Sequence, residues 1–146
     1  MAVVYLINSE LADTKQVLCS AVQYSGSRAI DSKPTVNGDV LRINEMVEVL
    51  TQSAENPKIA LKGITYTGAD GTLTIQDVLT LYKQRYNGNN ATTLYIVYGD
   101  SDVLPNYYGE TNGISCVLQP FNITLSTRDS RHGYRPTGDL TFVETK

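Results

Sequence analysis

Apolar residues recur at every second position along most of this chain, the spacing of strands that keep one face in a core. Val3, Tyr5 and Ile7 mark an opening strand. Alternation continues from 17 to 24, with Leu18, Val22 and Tyr24 as the expected larger apolar face. Pro34 and Asn37-Gly38 then mark a turn region, and Asn-Gly suits a tight hairpin because both residues tolerate positive φ. Residues 40–49 fit either a strand or two amphipathic turns, and a strand running into irregular chain is expected. Alternation resumes over 58–66 around Gly63, where a glycine within a strand signals a bulge or a close backbone approach. Further strands are expected at 93–98, 114–118, 121–126 and 140–143. Gln119-Pro120 separates two of these, and a proline, having no N–H to donate, predicts a bend, bulge or edge there.

One segment breaks the two-residue period. Ile75, Val78, Leu79, Tyr82 and Tyr86 follow the spacing of a single helical stripe, which predicts a helix over 75–86. Thr74 suits its N-cap, Asp77 places a negative charge in the first turn, and Lys83 and Arg85 place cations in the last. Gln76, Thr80, Lys83 and Gln84 are left for the solvent face. A mainly β fold, a β-sandwich or small barrel with one packed helix, is the simplest use of these elements.

The chain has 146 residues, enough for one domain over 1–146 with a core that needs no staples. Its net charge of −3 contains no basic run, so specific nucleic-acid binding is not expected. Residues 1–8 lack the basic region and apolar length of a secretory signal, and no stretch is long enough to span a membrane. Folding in a cytoplasm is the expectation. Cys19 and Cys116 match no metal-ligand spacing and are expected to stay buried or half-buried thiols.

Candidate chemistry is sparse. The single histidine, His132, sits in a polar turn, and no nucleophile-elbow, zinc-protease, P-loop or dinucleotide motif is present. Asp100, Asp102 and Glu110 supply oxygens but lack the spacing of a calcium loop. Arg128, Arg131 and Arg135 form a basic cluster diluted by Asp129 and Asp139. No catalytic residue, cofactor or metal is expected. Tyrosine is the notable excess, ten against two phenylalanines, and Tyr107-Tyr108 falls in a long polar loop. Such a pair can fill a partner's pocket or stack on a sugar ring, so a carbohydrate-binding module is the alternative reading.

The order of features in the C-terminal half resembles a known family. Lys58-Ile-Ala-Leu-Lys-Gly-Ile-Thr precedes the helix and the Leu94-Tyr-Ile-Val-Tyr strand. Gly113-Ile-Ser-Cys-Val-Leu, Phe121-Asn-Ile-Thr-Leu-Ser and Gly138-Asp-Leu-Thr-Phe-Val-Glu-Thr follow. Over residues 28–146 this is similar to the tail-tube-like proteins of phage tails, among them baseplate hub, distal tail and tube-initiator proteins; residues 1–23 carry no such likeness. The resemblance implies a virion structural protein, assembled in the host cytoplasm, that forms a trimeric or hexameric ring beside tail tube and baseplate proteins. Genomic DNA would pass through the lumen without being specifically bound. It further implies self-association through strand edges and a hairpin, with Asp31, Val36, Asn37, Gly38 and Asp39 as candidate inter-subunit contacts, to which the aromatic loop pair Tyr107 and Tyr108 is added.

Overall fold

The computed structural model describes residues 2–27, 56–125 and 135–145. The turn at Asn37-Gly38, the ambiguous stretch 40–49 and the basic turn with His132 lie outside them. Among the described residues eight strands and one helix follow one another: β1 (Val3–Ile7), β2 (Lys15–Val17), β3 (Ala21–Ser25), β4 (Lys58–Thr65), α1 (Ile75–Lys83), β5 (Thr92–Tyr98), β6 (Asp102–Val103), β7 (Ile114–Thr124) and β8 (Thr137–Glu144). The expected mainly β fold with one helix is what these residues form.

The strands make one sheet in the order β2-β1-β5-β7-β8-β4-β3, with β6 lying on β5. Its two ends belong to one stretch of chain. β2 pairs with β1 through Val4↔Val17, and β3 pairs with β4 through Val22↔Leu61. Between them the Ser20 N–H donates to Lys62 O and the Thr65 N–H donates to Leu18 O, both at 2.9 Å. Residues 15–25 therefore bond to β1 with one half and to β4 with the other, closing the sheet into a small barrel. The crossing also resets the alternation. Val17 and Cys19 face the core before it, Val22 and Tyr24 after it, and Leu18 stays outside that cluster. The continuous Leu18–Val22–Tyr24 face expected from periodicity is thus broken where the chain leaves one ladder for the next.

Two bulges bend the neighbouring strands. The β4–β8 register shifts between Leu61 and Ile64, and Gly63 adopts φ 66°, a conformation that disfavours side chains. The shift turns both Leu61 and Ile64 inward, 0% and 1% exposed. The β7–β8 register shifts between Leu118 and Phe121, so the two strands expected on either side of Gln119-Pro120 are one strand. Asp139, on β8 between the bulged strands, ties both: its Oδ1 accepts the Gly63 N–H (2.9 Å) and its Oδ2 accepts Asn122 Nδ2 (3.4 Å).

Inside, Val4, Leu6, Leu94, Leu61, Leu140 and Phe142 have no exposed surface. Burying side chains of this size contributes roughly 1.5–3 kcal/mol each. Helix α1 adds Val78 and Leu81 to this core. Its start is at the expected N-cap Thr74, and Asp77 completes a capping box with it, the Asp77 N–H donating to Thr74 Oγ1 (3.2 Å) and the Thr74 N–H to Asp77 Oδ2 (3.1 Å).

Its end and its buried face differ from expectation. The Gln84 backbone turns extended, and its N–H closes the last turn on Thr80 O (3.1 Å). Asn90 fixes the chain beyond, donating through Nδ2 to Arg85 O (2.7 Å). With three fewer residues, the stripe centres on Ile75, Val78 and Leu81. Tyr82 and Tyr86 are 57% and 44% exposed, and Tyr82 packs edge-on against Phe121 with ring centroids 4.9 Å apart. Gln84 turns inward, where its Oε1 accepts Asn8 Nδ2 (2.9 Å); Asn8 Nδ2 also donates to Thr92 Oγ1 (2.9 Å). Asn8 thereby latches the helix end to the start of β5.

Gly138 marks the tightest strand approach, because a Cβ there would lie 1.9 Å from Asn122 O. Gly138→Ala should lower stability by about 1–3 kcal/mol, the usual cost of overpacking, measured as a shifted urea midpoint. Gly26→Ala, with no atom within 4 Å of the added carbon, should leave the midpoint unchanged or slightly raised.

Candidate functional site

The loop between β6 and β7 is built around Asn106. Its Oδ1 accepts the Tyr108 and Glu110 N–H groups, both at 3.0 Å. Its backbone O accepts the Gly109 N–H and its own N–H donates to Glu110 O, both at 2.9 Å. Short polar side chains capture nearby backbone donors in this way and fix turns. Gly109, at φ 81°, supplies the left-handed residue the reversal needs. The loop is therefore closed on itself before it touches the barrel.

A buried carboxylate then fastens it. Residues 140, 142 and 144 share the inward side of β8, and Glu144 is 4% exposed. An ionised carboxylate at such a position needs donors. Glu144 Oε1 accepts the Tyr107 N–H (2.8 Å), and its other oxygen accepts the Tyr24 hydroxyl. The adjacent backbone joins further segments: the Glu144 N–H donates to Pro57 O (2.8 Å) and the Thr145 N–H to Ser115 O (2.7 Å). Five remote pieces of chain meet at this end of the barrel.

The result is a rigid aromatic projection. Tyr107 and Tyr108 pack edge to face, with centroids 5.3 Å apart and planes at 86°, yet are 61% and 57% exposed. Beside them lies a groove of about 340 Å³, lined by Tyr24, Gly26, Pro57, Leu104, Pro105 and Tyr107 among others.

Local electrostatics keep the neighbouring groups protonated. Burial, then the hydrogen bond and charge of Glu144, push the Tyr24 hydroxyl far above the ordinary tyrosine range. Burial and then the Glu144 charge push the Cys116 thiol well up, and its Sγ donates to Thr92 O (3.4 Å). Burial likewise raises Cys19 against an opposing backbone hydrogen bond. A thiol held protonated is a poor nucleophile and metal ligand.

Of the residues singled out in the sequence, the structure places Tyr107 and Tyr108 together at the exposed tip. Asp31, Val36, Asn37, Gly38, Asp39, Arg128, Arg131 and His132 lie outside the described residues. Asp100 sits in the turn before β6 and Asp102 within it, while the Glu110 backbone belongs to the Asn106 turn. Among the described residues, no group of three or more His, Cys, Asp or Glu is placed to hold a metal ion, and no helix is long and apolar enough to cross a membrane. Glu144, Tyr24 and Asn106 were missed by sequence reasoning. Glu144 alone carried a signal, an acid continuing the inward positions of Leu140 and Phe142. No protein-family model and no curated protein matches the chain.

The titration of two tyrosine hydroxyls, one at each end of the barrel, has a definite sign. The fold favours the neutral forms of Tyr24 and of Tyr66, the latter pushed up to about 12 by burial and then by the Asp139 charge. Their contribution is complete below the ordinary tyrosine pKa near 10 and is lost as pH rises through the folded values. Unfolding midpoints should therefore fall with pH from about 10 through about 12 and beyond. Tyr24→Phe should flatten that decline and, by leaving Glu144 short of a donor, lower the neutral-pH midpoint by about 1–3 kcal/mol.

Proposed function

We propose that the chain is a structural subunit of a phage tail, forming a ring of the tail tube or of the baseplate hub or adaptor and working without catalysis. The observation that carries this reading is the braced Tyr107–Tyr108 loop, an exposed aromatic pair locked by Asn106 and Glu144. The bracing satisfies the buried Glu144 and at the same time leaves the tyrosine pair preordered for docking. A preordered loop loses little conformational entropy when it binds, and tyrosine anchors at interface centres carry much of the binding energy. The barrel with its one helix among the described residues is compatible with the β-sandwich or small barrel flanked by a helix that the tail-tube resemblance implies.

In this reading each subunit inserts the tyrosine pair into its neighbour, and repetition of one heterologous contact closes a ring of three or six copies. Tail tube and baseplate proteins would bind the ring's two faces, with DNA passing through the lumen. The ring would be located in the virion after assembly in the host cytoplasm.

One feature favours the alternative, carbohydrate recognition. The edge-to-face pair stands beside the groove, and exposed aromatic faces can stack on sugar rings. A single variant separates the two readings. Negative-stain images of the purified chain should show rings that the Tyr107→Ala/Tyr108→Ala double variant loses while remaining folded. A chain that stays monomeric at high concentration, and binds on a glycan array only with the tyrosines present, would replace the ring by a sugar-binding module.

A further inference from the structure

The outward face of the sheet is unusual in what it lacks. On β1 and β5 the inward residues Val4, Leu6 and Leu94 are fully buried, so Val3, Tyr5, Ile7, Thr93, Tyr95 and Val97 point outward. They form matched rows, Val3 opposite Val97, Tyr5 opposite Tyr95 and Ile7 opposite Thr93. The same neutral surface continues over Ser115 and Val117 on β7 and Thr141 and Val143 on β8. Charge returns at Asp139, next in the same outward row of β8, and at Lys58 and Lys62 on β4. A solvent-facing antiparallel sheet ordinarily alternates apolar with polar and charged positions. Here the outside of four adjacent strands presents valine, tyrosine, isoleucine, threonine and serine at these positions, with Tyr5 and Ile7 38% and 40% exposed. Loss of charge with enrichment of tyrosine marks the centre of interfaces.

We infer that this face packs against the same face of a second copy of the chain. The inference rests on the assembly reading and adds to its heterologous ring contact a separate two-fold contact between copies. Two properties choose the occupant. The chain carries a net charge of −3, so copies repel through their charged parts, and a neutral face is where they can meet without burying an unpaired charge. The same neutrality leaves nothing for a partner's countercharge to recognise, whereas an uncharged β-branched sheet is complementary to itself.

Area sets the strength. Four strands spaced ~4.8 Å apart, with about five residues at ~3.3 Å each, cover roughly 300 Å² in projection. A stable dimer buries about 800 Å² per partner. The face therefore gives a weak, reversible contact in an isolated pair, and it holds firmly only where further contacts act with it.

Sedimentation velocity of the intact chain from micromolar to millimolar concentration tests this. The wild type should associate reversibly, and Tyr5→Lys should raise the dissociation constant at least about tenfold. Gln76→Lys, the same charge change on the exposed side of α1, should leave it unaltered. Circular dichroism confirms that each variant folds, and Ile7→Lys replaces Tyr5→Lys if that protein does not. Wild type and Tyr5→Lys assembling equally would overturn the face and leave the assembly reading standing. A wild type that is monomeric throughout would overturn both. If that monomer takes up an apolar dye that Tyr5→Lys excludes, the face belongs to a different partner.

Discussion

The fold depends on one stretch of chain reaching both ends of its own sheet. Residues 15–25 complete the ladder on β1 and then the ladder on β4, so the barrel exists only because the chain bends between them at 18–20. Closure removes the open edges that those two strands would otherwise present, but it demands curvature. The Gly63 and Gln119-Pro120 bulges supply it on the two strands that flank β8. Asp139 joins the bulged strands, and Gly138 lets Asn122 approach closely enough for it to do so. These are linked requirements: the bend, two bulges, one glycine and one acid share the task of curving the sheet.

At the barrel's other end a single carboxylate has an equivalent role. Glu144 is the last residue of β8 and faces inward, where a leucine or valine would continue the core. An apolar residue would leave the Tyr107 N–H and the Tyr24 hydroxyl without this acceptor, and a polar group buried without a partner costs more than a hydrogen bond returns. The acid is therefore best understood through what it holds in place. It converts a polar loop into a fixed projection and joins that projection to β3. The buried thiol of Cys116 beside it gains no reactivity, because burial and the nearby negative charge both disfavour the thiolate.

Much of this was legible in the sequence, and the failures have physical causes. The period-two pattern located most strands, and Gly63 and Pro120 flagged the two irregularities, since both residues restrict what a ladder can do. Thr74 and Asp77 marked the helix start because a cap is a local device. The helix end was misplaced because Gln84 leaves the helix to bond with Asn8, 76 residues away, and no local rule anticipates a distant partner. Tyr82 was assigned to the buried stripe by spacing, but the face that α1 buries centres on Val78 and Leu81, which leaves Tyr82 at its edge against Phe121. The face error at Leu18 has the same origin: periodicity assumes one ladder, and this segment serves two. Glu144 and Asn106 act through long-range or loop bonds that alternation does not encode.

The two surface features differ in what each can do in an assembly. The tyrosine pair is small, rigid and fixed in direction, so it specifies where a neighbour sits. The uncharged sheet face is broad but offers no directional group, so it adds contact area without defining register. A weak face combined with a specific anchor gives subunits that associate reversibly in pairs, yet hold together when each has two neighbours, since linked contacts raise effective concentration. A chain with only 18% charged residues can afford a neutral face of this extent only if its remaining charges keep the free subunit soluble. Lys58 and Lys62 on β4 and the acidic loop at Asp100 and Asp102 lie outside the neutral face, where they would remain solvated when that face is covered.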